Sequence, residues 1–199
     1  MIIIGITGPT GSGKTTALKC IEDRGGRVLD LDAIYHGLLK SSDAMKAELS
    51  SRFPGVIQDG VLDRKALGAI VFSDPAALQD LNEITGKYIL SETDRILSEA
   101  EKENIPLAAI DAINLLEGEL PSRCRFTIAV TAPTETRVKR LMERDHITKE
   151  YALLRISAQK DAEYFESRCD YTLRNDCATR EEFESRCSDL LDRLLQENK

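Results

Sequence analysis

The sequence predicts a three-layer α/β domain built on a parallel β-sheet. Short apolar or β-branched runs alternate with stretches of helical periodicity from one end of the chain to the other, the pattern of repeated strand–helix units. The first run, residues 2–6, is followed directly by a glycine-rich loop and then by a helical pattern. A buried strand that ends in such a loop is typical of α/β domains that bind a ligand at the carboxyl edge of the sheet.

The loop after the first strand has the spacing of a phosphate-binding loop. Residues 8–15, Gly-Pro-Thr-Gly-Ser-Gly-Lys-Thr, match G-x-x-x-x-G-K-[ST] at every fixed position, and a strand and a helix flank it as the motif requires. The glycines let backbone N–H groups turn inward, and the helix expected near Lys14 adds the positive end of its dipole. Lys14 can reach the β- and γ-phosphates, while the Thr15 hydroxyl can ligate Mg²⁺. The residues expected to bind a nucleoside triphosphate are Gly8, Gly11, Ser12, Gly13, Lys14, Thr15 and Thr16.

The charge balance, the hydropathy and the cysteines of the chain indicate which kinds of binding partner to expect. The chain has 199 residues, with 27 basic and 34 acidic side chains and a net charge of −7, so it is expected to repel nucleic acid. It contains no apolar stretch of membrane-spanning length and no basic export signal. Its five cysteines form no C-x-x-C pair, which indicates reduced thiols. We expect a cytoplasmic protein, a monomer or weak homo-oligomer, that binds neither membrane nor nucleic acid.

Two carboxylates follow the second predicted strand. Residues 27–30 predict a short strand that runs into Asp30-Leu31-Asp32. If the chain stays extended there, both carboxylates lie on the same side, which faces the ligand crevice. We expect Asp30 to hold a Mg²⁺-bound water and Asp32 to accept the proton of an attacking hydroxyl group. The alternative is that an aspartate caps a helix that includes Ala33.

Residues 33 to about 104 are predominantly helical, and we interpret them as an insert between the second and third strands. Inserts at the carboxyl edge of a sheet often bind substrate. The expected elements are a helix over 43–53, breaks at Pro54-Gly55 and Asp59-Gly60, a helix capped by Asp63, and a longer helix opened by Asp74-Pro75 with a candidate break at Gly86.

Strand patterns return in the second half, and the helices between them are basic. Residues 137–168 hold eight Lys or Arg against six Asp or Glu, and Arg144 and Arg155 bracket a predicted helix–turn–helix. A mobile flap of this kind can bring guanidinium groups onto a transferring phosphoryl group and exclude water. A solvated amphipathic helix pair is the alternative for most of these arginines. The expected elements are strands at 107–111, 126–131 and 171–174, helices from Thr134 and Thr148, and a last helix opened by the capping box Thr179–Glu182.

Several motifs together resemble those of the dephospho-coenzyme A kinases, phosphate-loop kinases of the nucleoside monophosphate kinase-like group, over nearly the whole chain. The phosphate loop is shared by many enzymes, whereas Asp-Gly-x-Leu-Asp-Arg followed by Val-Phe-x-Asp-Pro is far more specific. The motifs that carry the resemblance are residues 5–16, 28–32, 59–64, 71–75, 111–117, 144–145, 155–159 and 170–175.

The resemblance implies an activity and an architecture. The activity is ATP- and Mg²⁺-dependent phosphorylation of the ribose 3′-hydroxyl of dephospho-coenzyme A. The architecture is a phosphate-loop NTPase core, residues 1–31 and 105–199, with five parallel strands in the order 2-3-1-4-5. Residues of about 32–104 would hold the acceptor, and residues of about 144–168 would form a lid. The implied roles are catalysis by Lys14, Asp32 and Arg144, nucleotide contacts by Arg155 and Asn175, and metal contacts by Thr15 and Asp30.

Two departures from the family pattern bear on the acceptor. Gly86-Lys87 stands where the family usually has His-Pro, and residues 113–117, Ile-Asn-Leu-Leu-Glu, replace the common Pro-Leu-Leu-Phe-Glu. Another small-molecule or nucleotide kinase of the same fold is an alternative, because it would share the phosphate loop, the acidic strand end and the lid. A regulatory nucleotide switch is a weaker one, because the chain lacks the Asp-x-x-Gly and Asn-Lys-x-Asp segments that such switches use.

Overall fold

The computed structural model describes residues 1–58 and 60–197, so Asp59 of the predicted turn lies outside the described residues. The chain forms two compact units, the first from residues 1–29 and from residue 100 onwards, the second from residues 30–99. That the second unit holds an acceptor, and that residues 144–168 act as a lid, remain predictions. In the described ranges, no helix is both long enough and apolar enough to cross a membrane.

A five-stranded parallel sheet is the centre of the first unit. Its strands lie in the order β2-β5-β1-β6-β7, which is 2-3-1-4-5 when these five strands are counted along the chain, so the predicted order is confirmed. The remaining two strands pair as a short antiparallel hairpin. The strands are β1 Ile2–Thr7, β2 Arg27–Asp30, β3 Ile57–Gln58, β4 Val61–Leu62, β5 Leu107–Asp111, β6 Phe126–Thr131 and β7 Tyr171–Arg174.

Helices cover the sheet and make up most of the second unit. Two helices begin with caps that the sequence predicts: Asp63 and Thr179 each accept a backbone N–H of the first turn that follows. Thr148, predicted as the start of a helix, is the N-cap of the helix that begins at Lys149. The helices are α1 Lys14–Glu22, α2 Leu31–Ser41, α3 Asp43–Arg52, α4 Arg64–Val71, α5 Pro75–Lys102, α6 Thr134–Asp145, α7 Lys149–Ser157, α8 Ala162–Glu166, α9 Arg180–Gln196 and a 3₁₀ helix Leu120–Arg123.

Each unit has its own hydrophobic core. In the first unit, Ile4 and Ile6 of the central strand are buried together with apolar residues of α1 and α9, which pack on each other. In the second unit, Met45, Leu49 and Phe53 of α3 and the residue after it are buried with side chains of α4 and α5. The phosphate loop therefore lies between two rigid elements, β1 and α1, that are both anchored in the first core.

Two local predictions are wrong. Helix α5 is continuous through Gly86, because a glycine inside a helix costs only about 1 kcal/mol and the buried residues Ile84 and Leu97 hold the helix on both sides of it. The chain also does not stay extended after Asp30: α2 begins at Leu31, which is buried. The hairpin β3–β4 was not predicted, because two-residue strands carry too short a pattern to be recognised.

Candidate active site

Glycine is required at two positions of the phosphate loop. Gly8, Gly11 and Gly13 have φ angles of 138°, 76° and 105°, in the region that side-chain-bearing residues avoid. A Cβ atom at Gly8 would lie 2.0 Å from the carbonyl oxygen of Val130, and one at Gly13 would lie 2.3 Å from Nδ2 of Asn175. The loop is therefore folded tightly against β6 and the end of β7.

Side chains from outside the loop hold its carbonyl groups. The carbonyls of residues 10–12 all accept hydrogen bonds from two arginines of α6 and from the amide of Asn175. Because C=O and N–H point in opposite directions across a trans peptide, the N–H groups of residues 11–13 face away from these donors. The bonds are Arg137 Nε to Thr10 O (2.8 Å), Arg140 Nη1 to Gly11 O (3.2 Å) and Ser12 O (3.1 Å), and Asn175 Nδ2 to Ser12 O (2.9 Å).

The opposite side of the loop presents hydrogen-bond donors. Within residues 1–58 and 60–197, no acceptor takes the N–H groups of Gly11 and Gly13. The Ser12 hydroxyl is buried and has no partner in the same ranges. Gly13 is the N-cap of α1 and provides no side-chain acceptor for the helix N-terminus. Unbonded donors at the positive end of a helix fit the phosphates of a nucleotide.

The three polar residues that follow the last loop glycine lie at the start of α1. Nζ of Lys14 donates to the carbonyl of Gly8 at 2.9 Å, so the ammonium group folds back over the loop. The Thr15 side chain is exposed, and the N–H of Thr16 bonds to Gly13 O at 3.0 Å. The binding of phosphate by Lys14 and of Mg²⁺ by Thr15 stays a prediction.

A cavity adjoins the loop in the first unit. Its volume is about 340 Å³, which is at the lower end of the range of small-molecule sites. Arg140 forms part of its wall while bonded through Nη2 to Oδ1 of Asn175 at 3.1 Å. Asn175 is buried, and its amide is used to hold the loop and this arginine. The cavity wall includes Gly13, Thr15, Thr16, Arg140, Asn175 and Phe183.

The structure corrects the geometric argument for the two carboxylates after β2. Oδ1 of Asp30 accepts the N–H of Ala33 at 3.0 Å, so Asp30 is the N-cap of α2. Asp32 lies in the first turn of that helix and is exposed. The two side chains do not leave an extended strand on the same side, and the capping alternative is the one the structure shows for Asp30. Their roles toward metal and acceptor remain predictions.

A third carboxylate lies at the loop edge of the sheet. Asp111 ends β5 and pairs in register with Ile6 of β1, one residue before the end of that strand. Because parallel strands end at the same edge, Asp111 lies next to the start of the phosphate loop. The sequence contained the signal for it: an aspartate closes the third strand, which the predicted order places beside the first.

The two predicted lid arginines share one carboxylate. Asp145, the last residue of α6, accepts two hydrogen bonds from Arg144 (2.7 and 2.9 Å) and another from Arg155 of α7. Hydrogen bonds from these guanidinium groups, with the largest effect from Arg144, hold the pKa of Asp145 far below its usual range. In the described ranges, neither arginine bonds to the phosphate loop. Within the predicted lid, residues 144–168, Gln159 does bond to the phosphate loop: its Oε1 accepts the N–H of Thr10 at 2.9 Å.

Comparison with solved structures confirms the predicted fold. The crystal structure of TT1252 from Thermus thermophilus aligns with a TM-score of 0.81 and 34% sequence identity, over 100% of this chain and 98% of that chain. A shikimate kinase from Bacteroides thetaiotaomicron aligns with a TM-score of 0.52 at 14% identity, over 96% and 98%, a likeness of fold alone. The fold is that of a phosphate-loop kinase.

Sequence comparison identifies the family. The model of the family described as "Dephospho-CoA kinase" matches residues 2–181. The dephospho-CoA kinase of Latilactobacillus sakei is 32% identical over 173 residues, 86% of each chain, and that of Thermus thermophilus is 37% identical over 175 residues, 87% of this chain and 83% of the relative. The chain belongs to the dephospho-CoA kinase family, and the resemblance inferred from its motifs is confirmed.

Proposed function

We propose that the protein transfers the γ-phosphoryl group of ATP to the ribose 3′-hydroxyl of dephospho-coenzyme A, giving coenzyme A and ADP. The phosphate loop is the observation that supports ATP as the phosphoryl donor. Side chains hold its carbonyl groups, while its N–H groups at Gly11 and Gly13 have no acceptor in the described ranges. Family membership over residues 2–181 supports the acceptor half. The free thiols of all five cysteines agree with a reducing, cytoplasmic compartment.

The geometry of the first unit supports a nucleotide site at the phosphate loop. The loop donors would take the phosphates, Lys14 would exchange its bond to the Gly8 carbonyl for the β- and γ-phosphates, and the adjoining cavity would take the nucleoside. Bound Mg²⁺ would neutralise phosphate charge during transfer. Thr15 would supply it with a hydroxyl ligand, and the second carboxylate oxygen of Asp30, or alternatively Asp111, would hold one of its waters.

The acceptor side rests on Asp32 and on the region of α6 and α7. The Asp32 side chain is exposed and makes no hydrogen bond or ion pair in the described ranges, so its carboxylate is available to orient a sugar hydroxyl and take its proton. Arg144 and Arg155 would turn from Asp145 toward the phosphates when a nucleotide binds, because a triphosphate carries more negative charge than one carboxylate. The second unit would hold dephospho-coenzyme A.

An acceptor panel tests the reaction. ADP release would be measured with dephospho-coenzyme A, adenosine monophosphate, shikimate and gluconate at equal concentrations. We expect turnover with dephospho-coenzyme A at least about a hundredfold above the others, since a built polar site rejects acceptors that leave its groups unpaired. Faster turnover with any other acceptor would contradict the proposal and would favour another kinase of the same fold.

The role of Asp32 is tested with a matched variant. Asp32→Asn should keep ATP affinity and lower turnover by roughly two to four powers of ten, the range for loss of a general base. Asp43→Asn is the control, because Asp43 occupies the first turn of α3 as Asp32 occupies that of α2. Normal turnover of Asp32→Asn, or equal losses in both variants, would mean that the base is another group.

A further inference from the structure

Arg137, which bonds to the phosphate loop, is a buried arginine with no acidic partner among residues 1–58 and 60–197. Its side chain on α6 is 4% exposed, and Nε donates to the carbonyl of Thr10 at 2.8 Å. Nη2 is buried and has no hydrogen-bond partner in the described ranges. Burial alone lowers the pKa of this guanidinium, and no carboxylate opposes that effect. A buried cation of this kind destabilises a fold unless something compensates its charge.

Shortage of acidic residues does not explain the missing partner. The chain has 34 acidic side chains, and many of its other arginines form ion pairs, such as Arg24 with Asp192 and Arg27 with Glu103. Those pairs lie at the surface, where they contribute little to stability. Within the described ranges, Arg137 is the one arginine that is fully buried, and it bonds to the phosphate loop, whose expected ligand is a polyanion. Arg140 of the same helix is half-buried and likewise bonds to loop carbonyls, and burial lowers its pKa as well.

The loop lies directly on the residue that carries this charge. A Cβ atom at Gly11 would stand 3.1 Å from the backbone oxygen of Arg137 and 3.3 Å from its Cβ. The bond from Nε fixes the carbonyl of Thr10, and the N–H of Gly11, in the same peptide unit, points to the opposite side. The guanidinium thus both orients a phosphate-binding amide and places a positive charge behind it.

We propose that Arg137 is a positioning residue for the triphosphate, whose bound phosphates compensate a charge that the folded protein leaves uncompensated. This rests on the proposed use of ATP. Because the low dielectric around a buried group weakens screening, the charge should favour ATP over ADP, which carries one negative charge fewer. The same charge should reduce the stability of the nucleotide-free protein. Its removal should therefore weaken ATP binding and should not destabilise the nucleotide-free fold.

Three variants separate charge from hydrogen bonding. Arg137→Gln keeps an N–H donor for Thr10 and removes the charge; Arg137→Lys keeps the charge and removes the planar donor group. Arg27→Gln is the control at a surface pair.

Calorimetry would give the Kd of ATP and of ADP, and thermal unfolding without nucleotide would give Tm. We expect Arg137→Gln to weaken ATP binding about tenfold and ADP binding about threefold, with Tm unchanged or raised. The Kd of ATP for Arg137→Lys should stay within about threefold of the wild-type value. The control Arg27→Gln should bind ATP with the wild-type Kd.

The opposing results are distinct. ATP affinity within about twofold of wild type in Arg137→Gln, or a lowered Tm with unchanged affinity, would show that Arg137 only supports the fold and would overturn the proposal. Equal losses in Arg137→Gln and Arg137→Lys would overturn it as well, because the charge would then be irrelevant. If Arg137→Gln does not fold, a loss of ATP affinity in Arg137→Lys beyond about threefold overturns it. A wild-type protein that binds no ATP would instead refute the proposed function itself.

Discussion

Asp30 allows a capping role and a metal role to be separated in one residue. Its Oδ1 caps α2 through the N–H of Ala33, and a metal role would use the other carboxylate oxygen. Asparagine caps helices about as well as aspartate, so Asp30→Asn keeps the cap and removes the charge, whereas Asp30→Ala removes both. The pair of variants therefore assigns any change in Mg²⁺ dependence to the charge and any change in stability to the cap.

The magnitudes follow from the position of the side chain. Loss of an N-cap costs about 1 kcal/mol, which is a drop in Tm of about 2–4 °C for a protein of this size, expected for Asp30→Ala and absent in Asp30→Asn. Asp30 is exposed, so its attraction for a divalent ion at about 5 Å, across one water, is close to the value in bulk solvent, about 1.7 kcal/mol. Salt with a Debye length of about 8 Å reduces this attraction to about 0.9 kcal/mol, so we expect Asp30→Asn to raise the Mg²⁺ concentration for half-maximal turnover about fivefold.

The assay is turnover against Mg²⁺ concentration at saturating ATP and acceptor, with thermal unfolding of the same preparations. Asp111→Asn is titrated beside Asp30→Asn, because Asp111 is the carboxylate that the strand register places at the loop edge. A rise in the Mg²⁺ requirement for Asp111→Asn with none for Asp30→Asn would refute the metal role of Asp30 and leave it as a helix cap. A fall in Tm in Asp30→Asn would refute the separation of the two roles.

Three further predictions address the loop, the lid and pH. Lys14→Ala should lower turnover by about a thousandfold, since it removes the charge expected to stabilise the transferring phosphoryl group; near-normal turnover in a folded variant would contradict the phosphate role. Arg144→Ala and Arg155→Ala should lower turnover more than Arg95→Ala, a control paired within α5 alone; equal effects in steady-state kinetics would remove the lid assignment. A hydrogen bond from Arg174 lowers the pKa of Glu166 below its ordinary value of about 4.3. Ionised Glu166 therefore contributes its full share to the free energy of unfolding above that ordinary value, and this contribution is lost as pH falls through the lowered pKa. Denaturant unfolding of wild type and Glu166→Gln should accordingly differ most at neutral pH and converge in acid; a constant difference would contradict it.

Features encoded by short-range spacing were predicted well. The loop glycines, the five strands of the sheet and the caps at Asp63 and Thr179 depend on residues a few positions apart, so a single sequence contains their signal. Errors occurred where two local signals compete. At Asp30, an extended strand and a helix cap were both compatible with the sequence, and the buried side chain of Leu31 decides in favour of the helix.

The support of the phosphate loop could not be predicted in the same way. Thr10 donates its N–H to Gln159 and accepts a hydrogen bond from Arg137, residues more than 120 positions away along the chain. The family resemblance implied a nucleotide contact for Asn175, which stays a prediction. In the structure, the Asn175 amide donates to the carbonyl of Ser12, a support that the resemblance did not indicate. The groups that fix the carbonyl face have no spacing rule of their own, because β-strand order and helix packing, rather than the loop sequence, bring them there. Their effect on ATP is therefore accessible only to variants such as Arg137→Gln, in which the loop sequence itself is unchanged.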